Sequence, residues 1–147
     1  MRCLGLRAAD EWFAIDVTRV QKVVRNIPFT PLPVAPYAVV GLANLKGSVV
    51  TLLSFEELIG RERGQHSRAA VVFKTQSGER GLLGLLVERP DDIFELDDEK
   101  ILPPPVSPEE GSCILGIAEA DGKLFRIINS DEIISAFKGG AKNEKLD

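Results

Sequence analysis

The chain has 147 residues, 44% of them hydrophobic and 27% charged, with 22 acidic against 18 basic side chains and a net charge of −4. A chain of this length buries roughly 70% of its unfolded surface as one domain or two small fused ones, so it needs no disulfide or metal staple. The acidic surplus disfavours nucleic acid as the main partner, and the absence of a signal-peptide core or of an apolar run near ~18 residues argues against direct membrane insertion and for a cytoplasmic location.

Short runs rich in Val, Leu and Ile, punctuated by Gly, Pro and Asp/Asn, predict a mainly β protein of many short strands. Cys3–Arg7 and Trp12–Val17 form the first strand pair around the polar turn Ala8–Glu11, and Val20–Asn26 a third strand. Gly41–Leu45 and Val49–Leu53 flank Lys46-Gly47, a hairpin turn because glycine tolerates positive φ. Ser54-Phe55-Glu56-Glu57 is a capping-box pattern that starts a short helix over Phe55–Ile59, stopped at Gly60. The charged stretch 60–67 reads as a loop. Ala69–Thr75 and Gly81–Val87 make another hairpin around Gln76–Arg80. Cys113–Glu119 and Lys123–Ile128 flank Asp121-Gly122, a type I′ turn signature, and Ser130–Phe137 is a second helix. Residues 139–147 form a flexible polar tail.

An internal echo organises these elements. Gly41–Ile59 aligns without gaps on Gly116–Ile134: Gly41 meets Gly116, Gly47 meets Gly122, and Ser54 meets Asn129, both helix N-cap types. Val49, Val50, Leu52 and Leu53 fall on Leu124, Phe125, Ile127 and Ile128. Each unit has a Pro-rich step upstream (28–36 and 103–108), and before that an apolar strand closed by Val17-Thr18-Arg19 or Val87-Glu88-Arg89. The expected architecture is two fused small five-stranded β-barrels of SH3/OB-like type with short helices, at roughly 8–66 and 69–138, with the N-terminal strand exchanged between them. Units of ~70 residues are marginal alone, so they would share an apolar interface and leave a groove where they meet.

No constellation for catalysis emerges. His66, the single histidine, sits in the charged loop with no activated Ser or Cys beside it. Cys3 and Cys113 carry no CxxC spacing and read as free thiols. No set of metal ligands at fitting spacing is present, so neither metal nor cofactor is expected. Gly78, Gly81 and Gly84 lack a Walker lysine and read as hairpin glycines. The acidic cluster Asp91, Asp92, Glu95, Asp97, Asp98 and Glu99 lacks an EF-hand glycine and reads as a charged strand edge. The runs Pro31-Leu32-Pro33 and Pro103-Pro104-Pro105 read as rigid connections.

The stretch 27–60 resembles the central signature of CheW-like domains, in which a T-x-x-P step precedes P-x-x-x-x-G-x-x-N-L-R-G, an apolar strand and a short helix. The matching residues are Thr30, Pro33, Pro36, Gly41, Asn44, Leu45, Lys46 and Gly47. Upstream, 12–17 resembles the family's Y-A-I-D-I strand, and Val20-Gln21-Lys22-Val23 stands where the family has V-x-E-I. The resemblance spans about residues 3 to 138. It implies two β subdomains and a non-enzymatic adaptor that couples the cytoplasmic tip of a methyl-accepting chemoreceptor to the regulatory domain of a CheA-type histidine kinase, recruited to membrane receptor arrays. The partner-binding residues it implies are Val20, Lys22, Val23, Asn44, Lys46, Gly47 and Val50. Lys22 and Lys46 depart from the family's glutamate and arginine, which replaces an attractive pair by two like charges and removes a planar guanidinium. The rival readings are a small-barrel nucleic-acid-binding module, disfavoured by the acidic balance and scarce aromatics, and an enzyme with a pocket between the barrels.

Overall fold

The structure, a computed structural model, describes residues 1–64, 69–74, 82–104 and 112–137. Its strands are β1 (Arg2–Ala8), β2 (Glu11–Asp16), β3 (Val20–Arg25), β4 (Thr30–Pro31), β5 (Val39–Leu45), β6 (Ser48–Ser54), β7 (Ala69–Phe73), β8 (Leu82–Val87), β9 (Arg89–Glu95), β10 (Ile114–Ala120) and β11 (Lys123–Ile128). Helix α1 (Phe55–Leu58) follows β6 and helix α2 (Ser130–Phe137) follows β11. Three hairpin turns are made by pairs of positive-φ residues: Ala9 and Asp10 (50° and 60°), Lys46 and Gly47 (51° and 87°), Asp121 and Gly122 (50° and 73°). This backbone matches the right-handed twist of the flanking strands and so closes tight hairpins. Both helices start as the capping residues predict. Ser54 Oγ accepts the Glu57 N–H at 3.2 Å, and Asn129 Oδ1 accepts the Glu132 N–H at 3.3 Å.

The strands form two sheets. Sheet A has the order β10-β11-β2-β1-β9, and sheet B the order β3-β7-β8-β6-β5-β4. Set side by side, the two orders are the same arrangement. In each, a hairpin (β10–β11 or β5–β6) pairs in parallel with the next strand (β11 with β2, β6 with β8). That strand pairs antiparallel with its hairpin mate, and the mate with the outer strand β9 or β3. The hairpin β1–β2 is the one that precedes β3–β6 in the chain, yet it completes the sheet of β9–β11. The hairpin β7–β8 precedes β9–β11, yet it completes the sheet of β3–β6. The two halves of the echo have traded their leading hairpins, so a cut between residues 66 and 69 crosses both sheets instead of separating them.

The expected barrels appear as open sheets. Pairing runs from one edge to the other, β10 to β9 and β3 to β4, and among the described residues no ladder joins the edges. Sheet B has six strands because Thr30 and Pro31 pair with Leu42 and Gly41. In sheet A the corresponding contact is a single bridge, Leu102 to Ile117. Strand β9 carries Asp91, Asp92 and Glu95 at the outer edge of its sheet, where charge discourages further strand addition.

Alternation along the strands fills three apolar layers. Leu4, Leu6, Phe13 and Ile15 of sheet A face Leu53, Val71, Phe73 and Leu85 of sheet B in a shared central core with Phe55 and Ile133. Behind sheet B lie Val50, Leu52, Ala70, Val72 and Leu86. Behind sheet A lie Cys3, Ala14, Ala118, Phe125 and Ile127. Strands buried on both faces explain why the apolar runs in β6, β7 and β8 are nearly continuous. Gly84, one of the three spaced glycines, is a packing residue in β8: a Cβ there would stand 3.1 Å from Leu52 and 3.3 Å from Val50. Gly78, Gly81, His66 and the 139–147 tail lie outside the described residues.

Cys3 is fully buried, and burial pushes its thiol up to about 11 from an ordinary value of 9.0. The folded chain therefore holds this proton after the unfolded chain has released it. The stability that this provides is complete below pH 9 and is lost as pH rises toward 11. Titration of the native protein with a thiol reagent at pH 8 is expected to modify the half-buried Cys113 rapidly and Cys3 only at the rate of unfolding; equal fast rates for both would contradict the burial of Cys3.

Candidate partner-binding surface

The predicted contact residues fall on two parts of sheet B. Asn44, Lys46 and Gly47 belong to the β5–β6 hairpin. Asn44 Oδ1 accepts the Gly47 N–H at 2.9 Å, so this asparagine shapes the turn that presents Lys46. Gly47 serves the turn through its positive φ, and Lys46 is exposed at the tip. Val50 points the other way. It is fully buried behind the sheet, where it packs with Leu52 and supports the hairpin from within. Val20, Lys22 and Val23 lie on β3. Lys22 is exposed, whereas Val20 and Val23 are half-buried against the central core.

The structure does not bring the two groups together through the sheet. Strands β7, β8 and β6 stand between β3 and β5. Lys22 faces Val72 across its ladder and Asn44 faces Val49 across its own. The like-charge neighbourhood implied for Lys22 and Lys46 therefore has no support from strand pairing.

Sequence reasoning missed the apolar part of the surface. Leu42 and Val49 are 37% and 50% exposed on the outer face of the β5–β6 hairpin, where Asn44 and Thr51 share the same face. The signal was available in the alternation, since Val50 and Leu52 inward require Val49 outward. The echo places Leu124 of β11 opposite Val49, and it too is exposed, as are Leu115 of β10 and Leu102 elsewhere on sheet A. Each sheet thus carries exposed leucine or valine side chains next to its hairpin turn. Val49 and Leu124 occupy equivalent places in the echo, half-exposed beside the turn in each sheet, and are candidate recognition points.

A shallow pocket lies where the link between β2 and β3 meets the start of α2, lined by Met1, Asp16, Arg19, Leu115 and 127–131. Its charges are engaged structurally. Arg19 pairs with Asp131 at 3.0 Å, and Asp16 Oδ1 accepts from the Thr18 backbone and hydroxyl at 2.9 and 2.8 Å. A second clasp joins the halves where Glu11 of β2 receives Arg61 at 2.5 Å and Arg126 at 3.3 Å. Among the described residues no group of three or more His, Cys, Asp or Glu is placed to hold a metal, and no helix is long and apolar enough to cross a membrane.

The comparisons with known proteins agree with this architecture. The family model described as "CheW-like domain" matches residues 2–138. The chemotaxis protein CheW of Rhizobium meliloti is 28% identical over 132 residues, covering 88% of this chain and 84% of that protein. The chemotaxis protein CheW of Thermotoga maritima is 24% identical over 132 residues, covering 89% and 85%. The crystal structure of the scaffolding protein TtCheW from Thermoanaerobacter tengcongensis superimposes with a TM-score of 0.75 at 24% identity, covering 87% of this chain and 88% of that one. With a family match over nearly its whole length and the same fold in a solved relative, the chain belongs to the CheW-like domain family.

Proposed function

We propose that this protein is a non-enzymatic adaptor of a chemotaxis or chemotaxis-like pathway, coupling the cytoplasmic tip of a chemoreceptor to the regulatory domain of a CheA-type histidine kinase. The observation that carries the reading is the exposed apolar face of the β5–β6 hairpin, with Val49 echoed by Leu124 on sheet A, on a family fold whose pocket charges are engaged in structural ion pairs. Leu42, Asn44, Lys46 and Val49 form the proposed contact on sheet B, with Lys22 and the rims of Val20 and Val23 as a separate contact on the opposite edge strand β3. An apolar centre with a polar rim suits recognition of another folded surface. Work at the membrane would follow from the receptor, with the adaptor itself cytoplasmic and recruited to receptor arrays.

The reading is tested by immobilising the full chain and offering it a CheA-type regulatory domain and a receptor cytoplasmic tip separately. Retention of either, reversed by free adaptor, is expected; retention of neither overturns it.

A further inference from the structure

The chain's single tryptophan lies at the turn end of sheet A, ringed by cations. The Lys123 ammonium stands 4.1 Å from the Trp12 ring centroid, the Arg7 guanidinium 4.7 Å and the Arg89 guanidinium 5.8 Å. The ladder imposes this convergence. Arg89 pairs with Arg7, Arg7 with Trp12, and Trp12 with Phe125, so the row crosses β9, β1, β2 and β11. Lys123 enters from the first position after the β10–β11 turn. Beneath, Trp12 rests on Phe125, whose ring lies 6.2 Å away and packs in turn on Phe94, so the indole is a fixed platform.

Among the described residues these three cations are only partly neutralised. Among the described residues neither Arg7 nor Arg89 has a carboxylate within ion-pair reach, and Lys123 meets only Asp91, at 3.7 Å. The indole face attracts each cation but cannot cancel the repulsion among three. Two guanidinium groups without a carboxylate partner among the described residues, in a chain of net charge −4, are complementary to a small number of negative charges. We propose that this end of sheet A docks an acidic segment of a partner protein, with carboxylates paired to the guanidinium forks of Arg7 and Arg89 and an apolar group laid on the indole. Glu11 and Asp91 bound the spot on β2 and β9, and they and the overall charge repel a long polyanion, which favours a short carboxylate-bearing segment over nucleic acid. This site is on sheet A and the adaptor contact proposed above is on sheet B, so either can fail without the other.

Because Trp12 is the only tryptophan, its fluorescence reports the site directly. Hexaglutamate is expected to change Trp12 emission saturably, with affinity falling about tenfold between about 0.05 and 0.5 M salt. Hexaglutamine is expected to give no change. Arg89→Gln, at an exposed position, is expected to weaken binding several-fold, and Arg7→Gln with Arg89→Gln to abolish it while the circular dichroism spectrum is kept. Should the double variant fail to fold, Arg89→Gln alone decides the matter. No saturable change with hexaglutamate, undiminished binding by Arg89→Gln, or tighter binding of an oligothymidylate than of hexaglutamate would overturn the proposal, the last in favour of nucleic acid.

Discussion

Gly41→Ala is expected to destabilise the protein by roughly 3 kcal/mol, an unusually large effect for adding one methyl group. A Cβ at Gly41 would collide with the Thr30 carbonyl oxygen and stand 2.8 Å from the Phe29 ring and 3.0 Å from Pro31 Cα. Two of those neighbours are backbone of β4, which pairs with β5 at this residue, so relief requires the added strand to lift away. Gly116→Ala should behave alike, because its Cβ would stand 2.6 Å from both the Leu102 carbonyl oxygen and Ile101 Cγ2 where the bridge to Ile117 crosses. Gly47→Ala is the control. Nothing lies within 4 Å of a Cβ there, and only the φ of +87° resists, at a cost of roughly 1 kcal/mol. Thermal melts of the three variants check the ranking; Gly47→Ala more damaging than Gly41→Ala would show that the crossing strand is not closely packed.

The second large effect concerns the shared core. Phe13 of β2 and Phe55 at the start of α1 are both fully buried, with ring centroids 4.7 Å apart and planes at 87°. Phe13 belongs to sheet A and Phe55 to the helix that follows directly on β6 of sheet B, so the contact measures how the two sheets depend on each other. Phe13→Ala and Phe55→Ala are each expected to cost roughly 3–5 kcal/mol. The double variant should fall short of their sum by roughly 0.5–1.5 kcal/mol, the edge-to-face term counted twice in the single variants. Unfolding should stay a single transition in every variant, because the exchanged hairpins leave neither sheet able to form from contiguous chain. Two separate transitions, one per sheet, would contradict the shared core.

Much of this fold was legible from residues alone. Lys46-Gly47 and Asp121-Gly122 marked their turns because positive φ restricts residue choice, and Ser54 and Asn129 marked helix starts because an unpaired N–H needs an oxygen nearby. The echo of 41–59 in 116–134 also survives as matched geometry, down to the two glycines crossed by backbone. The sequence suggested exchange of the N-terminal strand alone, and could not show that whole hairpins, β1–β2 and β7–β8, trade sheets. That choice is made by long-range pairing between β1 and β9 and between β6 and β8, which leaves no local pattern. For the same reason β4, only two residues long, was invisible. The candidate site was half legible. Asn44, Lys46, Gly47 and Val50 came from the family motif, which carries no information on facing, so the burial of Val50 and the exposure of Leu42 and Val49 emerged only with the sheet.

The pair of exposed side chains on the β5–β6 hairpin offers the most direct test of whether outer surfaces are the working parts. Titration calorimetry of the full chain with a CheA-type regulatory domain should give a saturable isotherm, weakened at least about tenfold by Leu42→Asp with Val49→Asp, since desolvated apolar anchors carry most of an interface's energy. The melting temperature of that variant should be nearly unchanged, because both side chains already face solvent. A variant that binds as tightly as the parent chain would place the contact elsewhere and contradict the assignment of this hairpin.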